Sequence, residues 1–167
     1  MDDPNPELDR VQVLVDVGRI PAARTRLATL LAEDPTHARA LCLLALCHQA
    51  EDDADATLRV AERAVAADPT QEWAHRLRAW ALLTLGRTDD AVAASRKATE
   101  LEPAQWTGYA MLAGALGTLP GQRRAALAAA REAVRLDPEE AGPHYVHGLL
   151  SHAYGRTRAA RRAYRRV

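Results

Sequence analysis

Phenylalanine is absent from this 167-residue chain, and only 4% of its residues are aromatic. Sheets that pack face to face need aromatic and β-branched side chains, so the scarcity speaks against a β-sandwich or barrel. Cysteine is nearly missing as well. Cys42 and Cys47 are the only two, and five residues turn an α-helix by about 140°, which points the thiols to different sides. They form neither a Cys-x-x-Cys motif nor a secreted disulfide framework, and they read as small core hydrophobes. Net charge is zero, 22 basic residues against 22 acidic, so no global field draws the chain to nucleic acid or an anionic membrane. No apolar run approaches the roughly 18 residues of a membrane span. The start, Met1-Asp2-Asp3-Pro4, is acidic and lacks an apolar h-region, so the expectation is no signal peptide and a cytoplasmic location. Lys97 is the only lysine against 21 arginines, a bias that fits a GC-rich bacterial genome.

Helix formers are what the chain has in abundance. Alanine occurs 36 times and leucine 22 times, over a third of the sequence. With 48% hydrophobic residues the chain can bury a core and is too apolar for disorder.

The organisation is periodic. Prolines stand at Pro35, Pro69, Pro103 and Pro138, each after an acid that ends a helical run: Asp34, Asp68, Glu102 and Asp137. A second column, Gly18, Asp52, Gly86, Gly121 and Gly155, repeats at steps of 34 or 35. Ala23, Thr57, Ala91, Ala126 and Ala160 form a third, and Val11, Ala45, Ala79, Ala113 and Gly148 a fourth. Each period reads as two helices joined by a tight turn at the glycine column and closed by proline, which disfavours helix at the preceding residue. Asp52 tolerates such a turn and can also cap the next helix. The spacing predicts helices over 7–17, 20–33, 37–50, 54–67, 71–85, 88–101, 105–117, 122–136, 140–154 and 157–167. The small columns let helices cross closely.

A 34-residue helix–turn–helix unit with these columns resembles the tetratricopeptide-repeat family. The resemblance is carried best by Leu85-Gly86-Arg87 with Asp90-Ala91-Val92, Ala98 and Glu102-Pro103. Ala126 through Leu136-Asp137-Pro138 carries it next, then Tyr145, Gly148, Gly155-Arg156, Ala160 and Tyr164. It spans nearly the whole chain and implies an all-α solenoid of antiparallel helix pairs, a right-handed superhelix in a single domain, 1–167. The units run about 4–37, 38–71, 72–105, 106–140 with one extra residue near Leu119-Pro120, and an incomplete 141–167. By phase the chain stops in mid-helix at Val167, which leaves a raw end, a covered end or a fragment as readings. Two units depart from the family pattern: His75 and Arg78 in the third, and His144 and His147 in the fifth, stand where bulky apolar residues are usual.

By the same resemblance, the first helix of each unit lines a concave face. Its inward candidates are Leu43, Leu46, Gln49, Trp73, Arg76, Leu77, Trp80, Leu83, Met111, Tyr145, Val146, Leu149 and His152, with Trp73, Trp80 and Tyr145 as the energetic centre. The Lys, Asn and Arg clamp with which some members hold a carboxylate is absent, because Trp73 and Leu77 stand at inner positions of the third unit.

Catalytic chemistry has little to stand on. His144 and His147 lie three apart on one helix face, yet no cysteine or paired carboxylate joins them or His152 as a metal site requires. Glu51–Asp55 lacks the ligand ladder and glycine of a calcium loop. There is no phosphate-binding glycine loop and no nucleophile elbow. The expectation is a non-enzymatic scaffold or adaptor, without cofactor or metal, holding a partner protein's peptide or helix in an apolar groove. The alternative is a self-assembly module forming a homo-oligomer. A weaker third reading is a nucleic-acid or phospho-ligand binder using Arg156, Arg158, Arg161, Arg162, Arg165 and Arg166, a cluster that also reads as a solvated outer face.

Overall fold

The computed structural model describes residues 5–167; the acidic start Met1–Pro4, with the assigned first residue of the first unit, lies outside the described residues. Those residues form ten helices and no strand: α1 (Pro6–Asp16), α2 (Ile20–Glu33), α3 (Ala38–Ala50), α4 (Ala54–Ala67), α5 (Glu72–Thr84), α6 (Thr88–Leu101), α7 (Trp106–Thr118), α8 (Arg123–Leu136), α9 (Ala141–Ala153) and α10 (Thr157–Tyr164). Nearly every end falls within one residue of the expected one. The exception is α10, expected to run to 167, which closes at Tyr164 with the Arg166 N–H donating to Ala163 O at 3.0 Å.

Turn chemistry explains the regularity. Within a unit the connection is three residues long, except for the four of Leu119–Gln122. At Gly86 the backbone takes φ 76°, and Gly18, Gly121 and Gly155 take 72–78°. The Gly86 N–H donates to Leu83 O at 3.1 Å and the Arg87 N–H to Leu82 O at 2.8 Å, closing α5 with a Schellman cap. Asp52 adopts the same left-handed conformation, φ 57°, and makes the equivalent pair of bonds to Gln49 O and, through Asp53 N–H, to His48 O.

Between units, the Asp34 carboxylate accepts from the Thr36 N–H and hydroxyl at 3.0 and 2.9 Å, and Asp68 does the same with Thr70 at 2.8 and 2.7 Å. These bonds hold both carboxyls below the usual aspartate value. Two of the three histidines that break the family pattern serve the same turns. His75 Nε2 lies 2.9 Å from Pro69 O, and His144 Nε2 lies 2.8 Å from Pro138 O.

The two small columns meet inside each unit. Val11 with Ala23, Ala79 with Ala91, and Ala113 with Ala126 share buried clusters, and the Thr57 hydroxyl lies 3.5 Å from Ala45 O. Gly148 closes the series: a Cβ there would come within 2.5 Å of the Tyr164 ring. Cys42 and Cys47 are fully buried free thiols, and burial pushes them up to about 12 and about 11.

Each helix packs on the next along the chain. In addition α1 packs on α3, α3 on α5, α5 on α7 and α7 on α9, whereas none of α2, α4, α6, α8 and α10 packs on another of that set. The first helices therefore form a contiguous inner layer and the second helices a splayed outer one. That is an α-solenoid concave on the odd-numbered side.

Two outcomes check this packing. Ala91 and Ala126 have no exposed surface, so Ala91→Leu or Ala126→Leu should overpack its crossing and cost about 1–3 kcal/mol, read from urea midpoints. Asp52→Gly should instead stabilise by about 0.5–1 kcal/mol, because relief of left-handed strain exceeds glycine's entropic cost; an unchanged midpoint would mean that Asp52 is unstrained.

Candidate functional site

On the inner layer, α5, α7 and α9 enclose a cavity of about 390 Å³. Trp80 and Leu83 form the α5 wall, Trp106 and Met111 the α7 side, and Val146, Leu149 and Leu150 the α9 wall. Ala110 and Gly114 form the floor. Position explains the hollow. Leu46, Trp80, Gly114 and Leu149 occupy one column of the repeat, and only in α7 does that column lack a side chain. A Cβ at Gly114 would meet nothing within 4 Å. The cavity is therefore the space a large side chain would fill.

The neighbouring crossings are tight. A Cβ at Gly142 would lie 2.6 Å from the Trp106 ring, and one at Gly117 would lie 2.5 Å from Leu150 Cδ2. Two glycines thus let Trp106 and Leu150 lie flat against facing backbone, while the third opens the floor. Tyr154 holds α9 to α7 from outside, donating its hydroxyl to Gly117 O at 3.3 Å beneath the Arg123 guanidinium, 4.8 Å from the ring centre.

Arg76 brings the charge at the rim. Its Nε donates to Glu72 Oε1 at 3.2 Å, with Glu72 only 4% exposed. Burial pushes the Glu72 carboxyl above its ordinary value, and Arg76 pulls it partly back. The remaining lining is apolar apart from Thr107, so this site is built to cover carbon. Among the described residues no three His, Cys, Asp or Glu side chains gather as metal ligands would, and no helix is long and apolar enough to cross a membrane.

Of the residues expected in the groove, Arg76, Trp80, Leu83, Met111, Val146 and Leu149 come together at this cavity. Leu43 and Leu77 are 0% and 3% exposed and belong to the core between helices. Leu46 and Trp73 are half-buried; Leu46 packs on the second core cluster and Trp73 bridges the first and second. Tyr145 is 50% exposed and faces Tyr164, ring centres 6.4 Å apart, away from the cavity lining. Gln49 and His152 are also outside that lining. Trp106, Ala110 and Gly114 were not anticipated. Trp106 carried a signal, since it is the one Trp in a column otherwise filled by Ala38, Glu72 and Ala141.

Two family models described as tetratricopeptide repeat match the sequence, one over residues 8–72 and one over 77–105; together they span more than half of it. No curated protein sequence matches significantly. Among solved structures, a thermophilic tetratricopeptide-repeat protein of Thermus thermophilus, TTC0263, superposes with TM-score 0.86 at 21% identity, covering 95% of this chain and 87% of that one. PilF of Pseudomonas aeruginosa gives 0.80 at 18%, covering 96% and 73%. A MamA fragment from Desulfovibrio magneticus RS-1 gives 0.74 at 18%, covering 95% and 89%. At these identities the likeness is one of fold.

The buried Glu72 makes one testable difference. Its folded pKa lies above the ordinary value, so its contribution to stability is complete below the unfolded pKa and is lost as the pH rises through the folded one. The urea midpoint of Glu72→Gln relative to wild type should therefore move in the variant's favour between pH 4 and pH 7. A pH-independent difference would show a fully hydrated carboxylate.

Proposed function

The chain belongs to the tetratricopeptide-repeat family, and from that footing we propose that it is a non-enzymatic, cytoplasmic protein-interaction scaffold. Its five units act as a single domain, and a partner's peptide or helix docks in the concave groove between α5, α7 and α9. The observation that carries this reading is the open space at Gly114, flanked by Trp80 and Leu149 of the same column. Leu149 remains 44% exposed, and large apolar groups left in water on a concave face are where binding energy concentrates. The cavity admits one or two apolar side chains, which fits anchor residues on one face of a bound helix. Arg76 at the rim would meet a polar group of the same ligand.

A self-assembling module is the second reading. It is favoured by the exposure of the paired rings of Tyr145 and Tyr164, on the side of α9 away from the cavity, which a second copy could cover.

Gly114→Leu separates binding from folding. The new side chain enters open space and removes a helix-interior glycine, so the melting temperature should hold or rise, by about 0.5–1 kcal/mol of stability. The partner retained by wild type and identified by mass spectrometry should bind Gly114→Leu at least tenfold more weakly. Leu149→Ala should cost about 2 kcal/mol of binding. Unaltered affinity in Gly114→Leu would end the groove reading, and a concentration-dependent mass abolished by the same substitution would establish the self-assembling one.

A further inference from the structure

Because the outer helices are splayed, the space between α8 and α10 over α9 forms a second groove, of about 570 Å³. It lies on the other side of α9 from the concave cavity: His144 and His147 face it, whereas Val146, Leu149 and Leu150 face the cavity. One wall carries Arg158, Arg162 and Arg166 on successive turns, the last just past the end of α10. The floor is carbon, from Val134, Pro138 and Ala159.

The charge there is uncompensated. Arg24, Arg26, Arg39, Arg76, Arg87 and Arg135 each sit within 3.2 Å of a carboxylate. Among the described residues no ion pair involves Arg158, Arg162 or Arg166. The wider surroundings share the sign. Residues 121–167 contain ten basic and four acidic residues, against five and eleven in residues 1–55. Burial and the neighbouring Arg131, His144 and Arg156 press the half-buried His147 below its ordinary pKa, which reports the same positive field. Unpaired guanidiniums are poised for charge-assisted bonds to carboxylates.

We propose that this outer groove is a second binding site, which takes an acidic amphipathic helix of a partner protein. Its carboxylates would meet Arg158, Arg162 and Arg166 while its apolar residues cover Val134, Pro138 and Ala159. The distances agree for the two arginines on the helix, since Arg158 and Arg162, four apart in α10, advance about 6 Å, as do residues four apart on a bound helix. The apolar floor selects a protein over a nucleic acid, whose phosphates would gain nothing from it. The site stands independently of the concave groove.

The test uses the whole chain and a fluorescein-labelled synthetic helix bearing Glu at every fourth position and Leu on the same face, read by anisotropy at two salt concentrations. A scrambled peptide of equal composition, a DNA duplex and the unliganded protein's mass serve as comparisons. Wild type should bind the patterned helix at least tenfold more tightly than the scrambled one, and more weakly at higher salt. The triple variant Arg158→Gln, Arg162→Gln, Arg166→Gln should lose at least tenfold, with circular dichroism showing that it folds. Arg161→Gln with Arg165→Gln, outside the groove lining, should change affinity less than twofold, and Gly114→Leu should not change it. Equal binding of the scrambled peptide, or equal loss in the Arg161 and Arg165 variant, would reduce the site to diffuse charge and overturn the proposal. Tighter binding of the duplex, lost in the triple variant, would make it a nucleic-acid surface instead. A salt-sensitive oligomer of the protein alone, abolished in the triple variant, would make a second copy the occupant and overturn the partner reading.

Discussion

Within each unit the two helices cross where small side chain meets small side chain, and the distance set there governs the rest of the molecule. Ala79 with Ala91 and Ala113 with Ala126 sit in shared buried clusters, where small side chains let the backbones approach and the flanking leucines join one core. The same closeness explains how a chain without Phe builds a continuous core. Alanine contributes little area per residue, but it costs no side-chain entropy and lets many leucines reach one another. Thr57, the polar member of its column, is accommodated because its hydroxyl donates at 2.7 Å to the carbonyl of Asp53, the residue that caps its helix.

The candidate binding surface is the exception to that closeness. Leu43, Leu77, Met111 and Val146 form one repeat column, yet the first two are core and the last two line a cavity. Trp73 packs against both of the first two core clusters and bridges their junction. Further along, Thr107, Ala110 and Gly114 offer too little volume to do the same, and the inner layer gapes. A repeat with a uniform backbone has thus acquired a local site by subtraction of side chains, with Gly117 and Gly142 tightening the surrounding contacts.

The fold was legible because its signals are local and recur. Proline after an acid, glycine at the turn and alanine at the crossing each act within one unit, and every repetition strengthens the inference. The site was half legible for the same reason. Trp80, Leu83, Met111 and Leu149 follow from facing direction, which periodicity encodes. Burial of Leu43 and Leu77 depends instead on what the next unit offers, and the hollow at Gly114 depends on an absent side chain flanked by two large ones from other helices. Those are relations between units. Periodicity also could not assign His75 and His144, whose partners are backbone carbonyls of Pro69 and Pro138.

The one-sided stacking has a mechanical side. Inner helices touch one another across every junction and outer helices touch none of their own kind, so the inner layer acts as a backing strip that runs through all five units. Changing the pitch between units breaks no outer-to-outer contact, and a small rotation at each of four junctions adds to a large displacement from end to end. Each outer helix but the last also seats on the first helix of the next unit, so every junction is a two-point joint, and the curvature of the whole is the sum of four such joints.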